Sequence, residues 1–209
     1  MNEPGFLSAT RDSYDAVAAD YAEKFRDELA ATPIERGLLA AFAEEAVGAV
    51  LDVGAGPGGV TAYLHGLGAD VSGLDLSPRM VELARRAHPG VRFEVGSMTA
   101  IARGDRSLGG LVAWYSIIHV PDERLPEVFA EFRRVLAPGG RVALAFQVGD
   151  TTRHLTEAFG RDISLSTRLR PVERVAGLLD AAGLPVDVRM VRSPEGVAPR
   201  ACLMGRRVE

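Results

Sequence analysis

The chain has one cysteine, one lysine and no apolar run of membrane-spanning length in its 209 residues. A single thiol, Cys202, excludes an intramolecular disulfide and a cysteine-built metal cluster, and its apolar neighbours predict a small core residue. The four histidines, His65, His88, His119 and His154, are scattered without paired spacing, which leaves no metal site. The opening stretch MNEPGFLSATRD lacks the apolar centre of a signal peptide, so the expectation is a cytoplasmic protein with no membrane partner. Positive charge is not in excess either. Lys and Arg number 24 against 28 Asp and Glu, a net charge of −4 that argues against nucleic acid as the partner. Lys24 as the only lysine reads as genomic composition. There is no internal repeat, low-complexity tract or long linker.

What remains is a chain of ordinary globular composition, 47% hydrophobic and 25% charged, long enough for one domain with a sizeable core. Helical and strand patterns alternate along it. Residues 11–30 place Tyr14, Val17, Tyr21 and Phe25 near one face at helical spacing. Thr32-Pro33-Ile34-Glu35 reads as a capping box opening a second helix to about Ala46. Strands are expected at 49–53, 70–76, 91–95, 110–116 and 141–148, with helices at 58–67, 78–87 (capped by Ser77-Pro78) and 123–137, the last stopped by Pro138-Gly139-Gly140. A helix at 171–182 stopped by Gly183 and a closing strand pair, 185–192 and 200–207, complete the pattern. The order predicts an α/β fold: one doubly wound, mostly parallel seven-stranded sheet with helices on both faces, the last strand antiparallel, and an N-terminal helical lid. The chain then divides into a lid (1–47), a core (48–148), a substrate-side insertion (149–170) and a C-terminal helix with hairpin (171–209).

Ligands of such sheets bind beyond the carboxyl ends of the strands. There stands VLDVGAGPGGV, residues 50–60, containing G-x-G-x-x-G at Gly54, Gly56 and Gly59. Glycine permits the sharp turn and the close approach of a ligand; Gly59 is read instead as helix packing against the sheet. Asp75 closes the second strand 21 positions after Gly54, where a carboxylate accepts both hydroxyls of an adenosine ribose. Nicotinamide enzymes use the same device, so Asp75 does not choose between cofactors. Asp52 favours a choice: a carboxylate at the loop repels a pyrophosphate and suits a ligand carrying ammonium and sulfonium groups.

LDVGAGPGGVTAYL, VSGLDLSPRMVELAR and FRRVLAPGGRVALAF, in that order, resemble the class I S-adenosylmethionine-dependent methyltransferases, and YDAVAADYAEKF resembles the lid helix of their small-molecule branch. The resemblance implies S-adenosyl-L-methionine as cofactor, S-adenosyl-L-homocysteine as product, and a small-molecule methyl acceptor. It implies that Asp52, Gly54 and Gly56 line the methionine moiety, that Asp75 holds the ribose, and that Leu76, Met80, Ser97 and Met98 surround the adenine. Ser97 stands where many relatives have aspartate, which weakens any contact to the adenine amino group. Of Trp114 and Tyr115, one is expected at the sulfonium region and the other, by strand alternation, in sheet packing. Tyr14 and Tyr21 are expected to reach the cofactor from the lid, a role compatible with ordinary packing.

His119, after the fourth strand, is the candidate general base. His154 and the arginines of the insertion, Arg153, Arg161, Arg168 and Arg170, are candidates for the acceptor chamber, against the alternative of solvated surface charge. The implied reaction is in-line displacement, in which positioning alone supplies about 7–11 kcal/mol and a dedicated base is optional. O- or N-methylation of a metabolite is the first expectation. Two rivals stay open: a binding protein of this fold that does not methylate, and a nicotinamide-dependent oxidoreductase.

Overall fold

Strands at the centre of a parallel sheet are covered on both faces and therefore read as nearly continuous apolar runs. That is how β1 (Val50–Val53) and β4 (Leu108–Trp114) behave in the computed structural model, which describes residues 4–209: all four residues of the first are buried, and six of seven of the second. They lie side by side, flanked by β2 (Val71–Asp75) and β3 (Arg92–Val95) on one side and β5 (Leu136–Gln147) on the other. All four pairings are parallel. The closing strands β8 (Val186–Arg192) and β9 (Arg200–Arg206) add antiparallel pairs, with β9 inserted between β5 and β8, giving the sheet order β3-β2-β1-β4-β5-β9-β8. Every strand expected from the sequence forms, and the fold class is as expected.

Chain direction reverses its progress across the sheet between β1 and β4, so the crevice for a ligand opens at their carboxyl ends. The helix α2 (Pro33–Glu45) leads into β1, and α3 (Gly59–Gly66), α4 (Pro78–Ala87), α5 (Leu125–Val135) and α6 (Val172–Ala181) lie in connections between strands. The helix α5 shows why they pack. Leu125, Val128, Phe129, Phe132 and Val135 recur at helical spacing and are all buried on the sheet. Ser77 caps α4 as expected, its Oγ accepting from Met80 N at 3.0 Å.

Three expectations need correction, and one segment left without elements gains them. The lid helix α1 spans Gly5–Lys24 rather than 11–30, so its first two turns reach the site. The capping box at 32–35 does not form: Thr32 Oγ1 donates to the carbonyls of Glu28 and Leu29, and Glu35 turns into the protein. The triplet Pro138-Gly139-Gly140 lies inside β5, with α5 already ended at Val135. Finally, the insertion is a hairpin, β6 (Thr151–Ala158) with β7 (Arg161–Leu169). Its two-residue turn, Phe159-Gly160, has positive φ at both positions (53° and 70°), the geometry whose twist matches that of the flanking strands. Nothing alternates along β6, whose side chains are exposed almost throughout, so hydrophobic periodicity gave no signal for it. Among the described residues, no helix is long and apolar enough to cross a membrane.

Candidate functional site

The glycine loop follows from two constraints. Gly54 (φ +74°) takes a left-handed turn directly after β1, and a Cβ there would stand 2.3 Å from Ser116 Cβ. Ser116 is fixed because its Oγ donates to Val53 O at 2.6 Å, tying the ends of β1 and β4 together. Gly56 (φ +55°) differs: a Cβ there would meet nothing within 4 Å and would project into open space. Gly58 caps α3 and is pressed by the rings of Phe93 and His88, which would stand 2.7 and 2.9 Å from a Cβ at that position. Helix packing therefore falls to Gly58 and not to Gly59, which is exposed and unopposed.

Two cavities meet over this loop. The smaller, about 110 Å³, runs from Asp75, Leu76 and Met80 past Ser97 and Met98, and is roofed by Phe6, Leu7, Thr10 and Arg11 of α1. The larger, about 420 Å³, runs under the hairpin between Phe25, Glu28, Gln147, Phe159, Leu165 and Arg200. Tyr14, Tyr21, Gly54, Gly56, Trp114, Tyr115 and His119 line both.

Asp75 is held by backbone amides: Gly56 N donates to Oδ2 at 2.7 Å and Ser77 N to Oδ1 at 2.8 Å. Burial nonetheless raises its pKa. Ser97 lines the smaller cavity, but its Oγ is engaged locally with the Thr99 hydroxyl (2.8 Å) and accepts from Thr99 N (3.1 Å).

Asp52 departs from expectation. It does not line either cavity; it lies behind the loop, 1% exposed, accepting from Thr61 Oγ1 at 2.7 Å and so bracing the first turn of α3. Its Oδ1 is buried without a hydrogen-bond partner among the described residues, and burial pushes its pKa up to about 7. A carboxylate so placed is partly protonated at neutral pH, which weakens the charge argument made from it.

His119 is in the wall of both cavities with both ring nitrogens engaged. Ser166 O can only accept, so the 2.9 Å contact from Nδ1 fixes the proton there. Nε2 then accepts from Tyr14 OH at 2.8 Å. Burial pushes the imidazole down to about 4, with Arg168 and Arg170 adding to the effect, so the ring is neutral at pH 7. This arrangement fixes Tyr14 and offers a weak base.

Both Trp114 and Tyr115 reach the site, against the expectation of one. Tyr115 has φ +53°, so the strand's alternation ends at Trp114 and the next side chain swings to the same side. The two are joined by a residue that the sequence marked only as part of a capping box. Glu35, 2% exposed, accepts from Trp114 Nε1 at 3.2 Å and from Tyr115 OH at 3.1 Å, with Arg192 and Arg200 at 3.6 and 3.8 Å.

The insertion's arginines are mostly struts. Arg170, 1% exposed, donates to Asp122 Oδ1 (2.7 Å) and to the carbonyls of Ile117 and Val120. Arg168 donates to His119 O at 3.0 Å, and Arg161 ties the hairpin to Ala16 O and Asp20 of α1. Arg153 and His154 lie on the exposed strand β6 and line neither cavity. Of the residues expected at the cofactor, and with them His119, all but Asp52 line the smaller cavity, whereas none of the insertion's arginines nor His154 does. Missed were the first turns of α1, Glu35, Gln147 and Arg200, none of which carries a local motif.

A crevice at the β1/β4 switch point, a glycine loop and a carboxylate closing β2 define a nucleotide-type site on a class I methyltransferase fold. Residues 50–140 match the methyltransferase-domain family. An uncharacterized methyltransferase of Mycobacterium bovis is 36% identical over 120 residues, 54% of this chain and 47% of that protein. The methyltransferase GfsG of Streptomyces halstedii is 32% identical over 165 residues, 71% of this chain and 58% of that protein. The chain thus spans about half the length of these relatives. The 1,6-didemethyltoxoflavin-N1-methyltransferase of Burkholderia thailandensis, solved with 1,6-didemethyltoxoflavin and S-adenosylhomocysteine, superposes with a TM-score of 0.78 at 22% identity, covering 100% of this chain and 94% of that one. Residues 50–140 thus match a methyltransferase-domain family, and the fold of the chain is the one seen in solved S-adenosylmethionine-dependent methyltransferases.

Proposed function

We propose that the chain transfers a methyl group from S-adenosylmethionine to a small-molecule acceptor, at oxygen or nitrogen, and releases S-adenosylhomocysteine. The observation that carries this reading is the continuity of the two cavities across Gly54, Gly56, Tyr14 and Trp114. A cofactor lying along the smaller one would end where the larger one begins. The residues fit the cofactor. Asp75 offers a carboxylate already oriented by two amides, suited to a ribose diol; Leu76, Met80 and Met98 offer apolar walls for a flat base; and Gly56 leaves open the space that a side chain would fill. When bound, S-adenosylmethionine supplies an electrophilic methyl group on a sulfonium sulfur.

The chain's own part is to position and to exclude water. The lid helix is fastened on both flanks: Asp15 accepts from Ser77 Oγ and from Arg79 N (3.2 Å), while Ser13 Oγ accepts from Ser164 N of the hairpin at 3.0 Å. Tyr14, held by His119, and Tyr21, 5.4 Å away edge to face, then close over the junction of the cavities. Both phenols are kept protonated, since burial raises their pKa values, that of Tyr21 to about 12. His119, neutral and engaged, serves that closure, and an acceptor acidic enough to ionise unaided suits such a site. The size of the second cavity and the 1,6-didemethyltoxoflavin bound by the Burkholderia enzyme support a metabolite as acceptor.

Calorimetry tests the reading. S-adenosylhomocysteine should bind saturably and NADH should not. Asp75→Ala should weaken binding about 10- to 100-fold, the worth of charge-assisted hydrogen bonds. Folded protein that binds NADH but not S-adenosylhomocysteine would overturn it.

A further inference from the structure

The larger cavity has a floor with its own chemistry. Gln147 and Arg200 are directly paired across β5 and β9, so their side chains leave the same face of the sheet side by side at its site end. Both line the cavity. Gln147 Oε1 is buried and has no hydrogen-bond partner among the described residues, an acceptor held out of water. Beside it, Arg200 lies over the Tyr115 ring at 5.3 Å and reaches Glu28 and Glu35 only through Nη1, at 3.3 and 3.8 Å. That is unlike Arg141, whose guanidinium is closed by a two-point pair with Asp187 at 2.7 and 3.1 Å. An acceptor and a donor thus stand next to each other in a chamber walled by the rings of Tyr14, Tyr21, Phe25, Trp114 and Tyr115, with the charged Lys24, Arg26, Glu28 and Glu35 also on its lining.

We infer that this pair reads the edge of a planar heterocycle carrying a ring N–H beside a ring carbonyl, a cyclic amide or imide, and that this group defines the class of methyl acceptor. The N–H donates to Gln147 Oε1 and the carbonyl accepts from Arg200, while the ring lies against Tyr115 and Trp114. A simple carboxylate fits less well: it offers no donor to Gln147, and Glu28 and Glu35 stand beside Arg200. The inference rests on the methyltransferase reading for its consequence, but not for its test.

Trp114 is the only tryptophan, so its fluorescence reports occupancy of the cavity it lines. Three probes separate the possibilities: lumazine, with the N–H/C=O edge; quinoline, with the flat ring alone; and 2-naphthoate, with a carboxylate. Each is titrated with and without S-adenosylhomocysteine. Lumazine should bind at least about tenfold more tightly than either of the others, and Gln147→Leu should erase that preference while leaving S-adenosylhomocysteine affinity intact, which shows the variant folded. Gln147→Glu, which keeps an acceptor oxygen, should retain part of it. Equal binding of quinoline, a preference for naphthoate, no binding of any probe, or a preference untouched by Gln147→Leu would each overturn the inference. Loss of S-adenosylhomocysteine binding by the wild type, with lumazine still preferred, would instead count against the methyltransferase reading alone.

Discussion

The two ends of the cleft are built on different length scales. At the Asp75 end, contacts are short in sequence: Asp75 is held by Ser77 two residues on and by Gly56 nineteen back, and Ser97 by Thr99. At the hairpin end they are long: Glu35 to Tyr115 spans 80 positions, Glu28 to Arg200 spans 172, and His119 to Ser166 spans 47. The first end is made by strand-to-loop junctions that repeat with each β-α unit. The second exists only once distant segments have docked. A ligand site at the first end can be inherited with the junctions, whereas the larger cavity is free to vary wherever the docked side chains vary.

Substitution at Asp52 should have the largest effect, on the side of the local end. Its folded pKa is about 7 against about 3.9 for a free carboxyl, so between those values the folded state binds more protons than the unfolded. Stability from this group is full below about pH 4 and is lost as pH rises through 7. Asp52→Asn keeps an acceptor for Thr61 and removes the ionisation, so it should match the wild type at pH 4 and exceed it by up to about 4 kcal/mol at pH 8. His119 runs the other way: with its pKa lowered to about 4, its contribution is full above about pH 6.5 and is lost as pH falls to 4 in both proteins. Urea titrations across that range measure the difference between them. A gap that does not change with pH would mean that Asp52 is ionised throughout and has a partner that burial alone does not describe.

Arg170→Met comes next and probes the distant end. It leaves the Val120 carbonyl without its Arg170 donor and the Ile117 carbonyl with Val120 N alone (3.0 Å), and should cost about 3 kcal/mol. Asp122 keeps Arg174 at 3.0 Å, which limits the loss. Limited proteolysis should then cut the 151–169 hairpin before the β1–β3 region. If S-adenosylhomocysteine affinity falls as far as the hairpin's protection does, the two ends are one cooperative unit and the distinction between them fails.

The same distinction explains what could be read from the chain. The sheet, its order of elements and the Asp75 loop were legible because apolar runs, Ser77-Pro78 and the glycines act within a few residues of themselves. Glu35 was legible only as half of a capping box, since nothing nearby marks it as the partner of Trp114 and Tyr115. Asp52 was assigned to the ligand because its distance in sequence from Gly54 is short, yet its side chain points to Thr61 on the far side of the loop. The alternation rule failed at Tyr115 because one left-handed residue resets it. The hairpin, exposed along nearly all of β6, has no periodicity to read, and its turn uses Phe159 where asparagine or aspartate is the usual signal.

The smallest expected effect is the most specific to the lid. Tyr14→Phe removes the donor to His119 Nε2 and leaves a buried acceptor unpaired, at about 1–2 kcal/mol. The helix should stay docked, because Asp15, Ser13 and the Arg161 contacts to Ala16 and Asp20 remain. For a chain of this length that is a fall in melting temperature of roughly 2–8 °C. The proton on His119 Nδ1 is fixed by Ser166 O, which the substitution does not touch, so the ring nitrogen resonances should still report that tautomer and a neutral ring at pH 7. Methyl transfer should slow without gaining a new pH limb near 6.5. A variant that instead acquires such a limb would show that Tyr14 masks a working base, and His119 would then act on the acceptor directly rather than through the lid.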